Sequence, residues 1–364
     1  MIRRIGILAL LALLSFGCGK RTAIDQQSPA DAGVPVYPAA GWEKIARPES
    51  AGWSSAGLEQ VRRKLTTMKT TGMMAVVGGR VLFEYGDLQR VSYLASVRKS
   101  VLSMLVGIYQ ERGMLDVNKT LEQLGMDDVQ GLTPLERQAR VIDLLTARSG
   151  VYHPASNPGD DTRFAPARGT QKPGTFMLYN NWDFNALGTA FETMTGVDIY
   201  DAVGKDIAQP IGMQDWDRSR QRKSGNASVS RHLAYHLKLS TRGMARIGYL
   251  MLREGDWNGI QIVPRAWVRE STRTFTPRTE MNPPERRAGE FGYGYLWWVF
   301  DNPHQPPEYK GAYAGLGAVG QPILVMPALD LVVAHKTDPA DGGSVSHEQF
   351  LGIVRLLVAA RLKR

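Results

Sequence analysis

Cysteine is almost missing from this chain: Cys18 stands alone among 364 residues. No intramolecular disulfide can form, so the fold must hold by packing. Long apolar runs are scarce too, and the run from Ile5 to Leu14 is too short to span a bilayer. Basic stretches interleaved with aromatics are absent. The formal charge of +9 is spread over Lys and Arg mixed with Asp and Glu, which argues against a nucleic-acid partner and leaves at most a mild attraction to anionic envelope polymers. The pattern Gly-x-Ser-x-Gly of His-dependent hydrolases does not occur. His232 and His236 are four apart, a spacing that can hold a metal on one helix face, but Leu233 stands where the zinc-protease motif needs glutamate. No metal site and no cofactor are expected. Apolar and charged fractions of 43% and 22% are those of a globular protein.

What is present begins with an export signal. Arg3 and Arg4 precede the apolar run, and Ser15-Phe16-Gly17 leads into Cys18. This resembles a bacterial lipoprotein signal, although Ser15 and Phe16 stand where that pattern has a leucine-like and a small residue. It implies lipidation of Cys18 and a location on the periplasmic side of the cell envelope; ordinary secretion is the alternative. Residues 19–45 carry Pro29, Pro35 and Pro38 among small and polar residues and read as a flexible linker.

A helix is expected after Ser54 or Ser55, with Leu58, Val61, Leu65 and Met68 along one face. Next comes a hairpin, Met73–Val77 and Arg80–Tyr85 around Gly78-Gly79. A helix-rich stretch follows to about 255. Strand character returns at Gly292–Val299, Gln321–Met326 and Leu331–His335, and a closing amphipathic helix spans Glu348 to Leu362. Strands early and late with helices between predict an α+β fold: one mixed, largely antiparallel sheet flanked by helices, with a helical insertion beside it. The expected parts are an α/β part at about 46–110 and 290–364 and a helical part at about 111–289.

The chemistry centres on Ser96-Val97-Arg98-Lys99, at the mouth of an apolar helix that should stop near Gly113. A serine hydroxyl is a poor nucleophile near neutrality and needs a base within reach. Residues i and i+3 share a helix face, with Cβ atoms about 5–6 Å apart. A desolvated lysine can lose enough proton affinity to serve as that base, and the first-turn N–H groups favour negative charge on the serine. Farther on, Tyr179-Asn180-Asn181 precedes a helix ending at Gly196. A phenol there could relay a proton, and the Asn181 amide could orient the lysine or a substrate carbonyl. His153 is a candidate for the pocket mouth or a plain loop residue. Trp297-Trp298 reads as half core and half pocket wall.

Ser96-x-x-Lys99 and Tyr179-x-Asn181, with Asp143–Gly150, Ser240–Arg246 and Gly292–Trp298, resemble the class C β-lactamase-like superfamily of serine hydrolases, including its esterase and 6-aminohexanoate-dimer hydrolase branches. The likeness spans roughly residues 45–360, with Phe184 where tyrosine is common. It implies a β-lactamase/transpeptidase-like domain over 46–364, with Ser96, Lys99 and Tyr179 catalytic and Asn181, Gly315, Gly317 and Ala318 binding substrate. The third motif of the family falls at Gly315-Leu316-Gly317, followed by Ala318, without its usual cation. Backbone N–H groups of Ser96 and Ala318 could still form an oxyanion hole. Lys336-Thr337 looks like the missing motif but follows another strand and ends in Asp338. The implied activity is acyl transfer on a small ester or amide. The alternative is a non-catalytic or slow-turnover penicillin- or peptidoglycan-binding protein of the same fold.

Overall fold

Gly78 and Gly79 both adopt positive φ, 58° and 83°, the pair of left-handed residues that lets a two-residue turn match strand twist. They join β1 (Gly72–Val77) to β2 (Arg80–Gly86). The remaining strands of the main sheet come late in the chain: β3 (Phe291–Tyr293), β4 (Trp298–Phe300), β5 (Tyr313–Gly315), β6 (Ile323–Met326) and β7 (Leu331–Lys336). In space they run β2-β1-β7-β6-β5-β4-β3, antiparallel at every pairing. The early hairpin joins the late meander through β1 and β7, with Met73 opposite His335 and Ala75 opposite Val333. β6 and β7 are buried along their whole length, so both faces of the sheet centre are covered.

The covering comes from helices. α1 (Ser55–Leu65) starts where the Ser54 side chain accepts from the Gly57 N–H, and it buries Leu58, Val61 and Leu65. α2 (Val97–Glu111) is buried from Val97 through Tyr109. It meets α3 (Asn181–Thr195) and reaches β5. α4 (Thr241–Leu252) packs on β1, β6 and β7, and α5 (His347–Ala359) pairs with α1. Burial of a side chain such as Val101 or Leu105 contributes about 1.5–3 kcal/mol. That apolar gain is what carries Lys99, on the same helix, into the interior.

The computed structural model describes residues 35–157, 159 and 161–362; Cys18, the export signal and residues 19–34 lie outside them. Two expectations are corrected. The linker does not extend to 45. Tyr37 packs against Tyr249 and Trp257, Ile45 donates to Val81 O, and the buried Arg246 guanidinium donates to the carbonyls of Pro38 and Ala39. Aromatic surface and paired backbone groups dock this stretch despite its prolines. Gly292–Val299 is a tight hairpin, because Leu296 takes a positive φ of 63° and turns the chain between β3 and β4. The described residues form one compact unit, and α4, from late in the helical part, lies on the main sheet. Among the described residues, no helix is long and apolar enough to cross a membrane.

Candidate active site

Ser96 sits immediately before α2, and the residue before it is strained: Ala95 holds a φ of +51°. A left-handed alanine costs on the order of 1–3 kcal/mol and persists only where its surroundings enforce it. Here Leu94 N–H donates to Leu237 O on one side, and the buried helix begins on the other. The turn leaves Ser96 half-buried, whereas Lys99 is 2% exposed. Helix α2 is pinned in place by Ser100, whose hydroxyl donates to Leu296 O at 2.7 Å.

Lys99 Nζ donates to Ser96 Oγ at 3.1 Å, to Tyr179 Oη at 2.6 Å and to Asn181 Oδ1 at 2.8 Å. It also lies 4.2 Å from the ring centres of both Tyr179 and Phe184. Tyr179 is delivered by an extended segment whose Leu178 N–H donates to Ala147 O. The chain then enters α3, where the Asn180 side chain caps the helix by accepting from Asp183 N–H. That cap directs the next residue, Asn181, inward. Its Nδ2 donates to Gly159 O at 3.4 Å, tying the loop before Asp161 to the site.

Tyr179 is walled by Phe184, Trp298 and Tyr293, with ring centres at 4.7, 5.3 and 6.1 Å. Burial pushes its phenol up to about 12, against the opposing pull of the Ser96 hydrogen bond and the charges of Arg98 and Arg286. The phenol is therefore protonated near neutrality and can donate as well as accept. Arg98, between serine and lysine, is itself 2% exposed, donates to Asn185 Oδ1 at 2.9 Å and lies over the Tyr235 ring.

The third segment is brought to the same place. A Cβ on Gly315 would stand 3.0 Å from Ser100 Oγ and 3.4 Å from Val97, so the end of β5 lies against the first turn of α2. A Cβ on Gly317 would come within 2.8 Å of Leu94 O, and the Gly317 N–H donates to Gln321 O. Ala318 is exposed, and Val319 after it has a φ of +59°. Backbone strain thus flanks the site on two sides.

The histidines that the sequence singles out lie elsewhere. His153 is fully buried, with Nδ1 2.9 Å from Pro154 O and 3.4 Å from Asp128, so it belongs to the core and not to a pocket mouth. His232 contacts Thr189 and meets Trp182 edge to face, while His236 lies in a short strand, so the two do not share a helix face. Among the described residues no group of three or more His, Cys, Asp or Glu could hold a metal. Trp297 is core and Trp298 faces Tyr179. Sequence reasoning missed Arg286 and Asp161, an ion pair beside Tyr179; neither belongs to a motif, and only the fold brings them near.

The sequence model of the beta-lactamase family matches residues 61–338. Similar solved structures include a proposed 6-aminohexanoate-dimer hydrolase from Bacillus anthracis (TM-score 0.62, 19% identity, 82% of this chain and 80% of that one). EstCE1, a hydrolase with promiscuous acyltransferase activity, superposes with a TM-score of 0.61 at 15% identity over 85% of this chain and 99% of its own. The octameric penicillin-binding protein homologue from Pyrococcus abyssi gives 0.59 at 18% identity, over 83% and 77%. An uncharacterized protein of Alkalihalophilus pseudofirmus is 35% identical over 104 residues, 27% of this chain, and the match spans only 29% of that protein's length. The chain belongs to the beta-lactamase family, whose members are serine hydrolases: esterases, amidases and beta-lactamases.

Proposed function

We propose that this protein hydrolyses a small ester or amide through an acyl-enzyme on Ser96. The observation that carries the reading is the buried Lys99 amine, in contact at once with Ser96 Oγ, Tyr179 Oη and Asn181 Oδ1. A neutral amine has two N–H donors and one lone pair. With the amine neutral, its lone pair can take the proton of Ser96 while N–H groups donate to Asn181 Oδ1 and Tyr179 Oη.

In acylation, Ser96 Oγ bonds to the carbonyl carbon while its proton passes to Lys99. Backbone N–H groups of Ser96 and Ala318 steady the oxyanion. The carbonyl carbon then breaks its bond to the leaving oxygen or nitrogen, which takes a proton from the Tyr179 phenol. The Lys99 proton replaces the one that Tyr179 gave up. In deacylation water adds to the acyl carbon, its proton follows the same route in reverse, and Ser96 is restored as the acid departs. Without a cation at Gly315–Ala318, esters and small amides are favoured over penicillin-like substrates.

The test is a short p-nitrophenyl ester. Wild-type protein should turn it over, and Ser96→Ala should lower kcat by at least about 10³-fold with the circular dichroism spectrum unchanged. One equivalent of p-nitrophenol released without further turnover would instead support a binding protein that captures its ligand covalently.

A further inference from the structure

Ser96 is half-buried at the start of α2, and Arg286 keeps part of its side chain in solvent beside Tyr179. Arg286 comes from the short helical turn Pro284–Ala288, far in sequence from the serine-bearing helix. Its guanidinium carbon sits 5.2 Å from the ring centre of Trp298 and 5.8 Å from that of Tyr179. The side chain keeps 34% of its surface in solvent. Its charge reaches both walls of the site. It opposes burial at the Tyr179 phenol. It also adds to the desolvation that lowers the pKa of His347, whose Nε2 is 3.2 Å from Gly317 O. The guanidinium thus lies beside the tyrosine wall, and Gly315–Ala318 supply no charge of their own.

A carboxylate already occupies it. Arg286 Nε and Nη2 both reach Asp161 Oδ2 at 2.6 Å, and Asp161 N–H donates to Tyr179 O at 3.1 Å. That pair engages one carboxylate oxygen through two nitrogens, whereas a guanidinium has five N–H donors, two of them on Nη1. A flat, aromatic-backed guanidinium is suited to bind a carboxylate.

Resting on the acyl-transfer reading above, we propose that Arg286 is the specificity residue for a substrate carboxylate. The preferred substrates are esters or amides whose acyl part ends in an anion a few bonds from the scissile carbonyl. Asp161 holds the arginine in position in the free protein, and the substrate anion adds to the guanidinium at its solvent edge.

The experiment compares the p-nitrophenyl half-ester of adipic acid with p-nitrophenyl hexanoate, which has the same chain length but no charge. Their kcat/KM ratio, measured on one preparation, does not depend on the folded fraction. In Arg286→Gln the ratio should fall about tenfold or more, chiefly through KM, and Arg286→Lys should recover part of it. The wild-type ratio should fall with added salt and that of Arg286→Gln should not. A proportional loss on both esters would assign Arg286 a structural role, and an unchanged ratio would remove it from recognition; either overturns the proposal. Calorimetry of both esters on Ser96→Ala, with and without Arg286→Gln, reads the anion contact without turnover. A hydrolase that fails this comparison disproves the anion site alone. A protein that binds the half-ester through Arg286 but never turns over disproves the acyl-transfer reading alone.

Discussion

Lys99 and Lys336 are buried to almost the same degree, 2% and 1% exposed, and both lie next to a hydroxyl residue in sequence or on a helix face. Their partners differ. Lys99 meets two hydroxyls and an amide oxygen on side chains. Lys336, at the end of β7, donates to the backbone carbonyls of Leu239 at 2.7 Å, Ser92 at 2.9 Å and Tyr93 at 3.4 Å. A carbonyl can only accept, so none of these three partners has a proton to exchange. The hydroxyls of Ser96 and Tyr179 both give and accept protons. Both lysines are buried, and the chemistry of their partners separates the proposed base from a joint between two strands.

Replacing each lysine by methionine should separate the two. Lys99→Met should lower ester turnover by about 10³-fold or more while the protein stays folded, because the base is gone. Lys336→Met should leave kcat of the folded fraction near wild type; equal losses of kcat in the two variants would break the comparison. Tyr179→Phe keeps the aromatic wall and removes one hydroxyl, so kcat should drop about 10²-fold or more. A wild-type rate would remove the phenol from the proton route.

The smaller effects concern stability. Lys336→Met leaves carbonyls of Ser92 and Leu239 without their donor, a cost of about 1–3 kcal/mol by thermal unfolding. This cost should depend on pH. Desolvation lowers the Lys336 pKa from 10.5 to about 7, with Asp338 pulling the other way. Above about 7 the folded protein has released a proton that the unfolded chain still holds, so rising pH favours the folded state until the unfolded amine also titrates near 10.5. Below about 7 both states are protonated and the charged amine is held at its greatest cost. The stability gap between wild type and Lys336→Met should therefore widen from pH 7 toward pH 10. A flat gap would mean that the carbonyls hold an ammonium throughout.

Much of the site is local, and local features are legible. Ser96 and Lys99 meet because i and i+3 face one way on a helix, and Asn180 caps α3 as asparagines do, presenting Tyr179 and Asn181 on either side of it. The hairpin at Gly78-Gly79 and the cap at Ser54 follow from turn and capping chemistry in the same manner. His153 illustrates the opposite case: its neighbours in sequence place it beside a pocket, while Asp128 and Trp182, remote in the chain, draw it into the core.

Periodicity, capping residues and turn glycines settled the helices, the first hairpin and the serine–lysine pair, since each depends on contacts within a few residues. The left-handed Ala95, the hairpin at Leu296, the docking of Tyr37 and the placing of Arg286 over Tyr179 arise from packing between segments far apart in the chain, more than two hundred residues for Tyr37. Those contacts exist only once the sheet has closed, so no stretch of sequence could announce them.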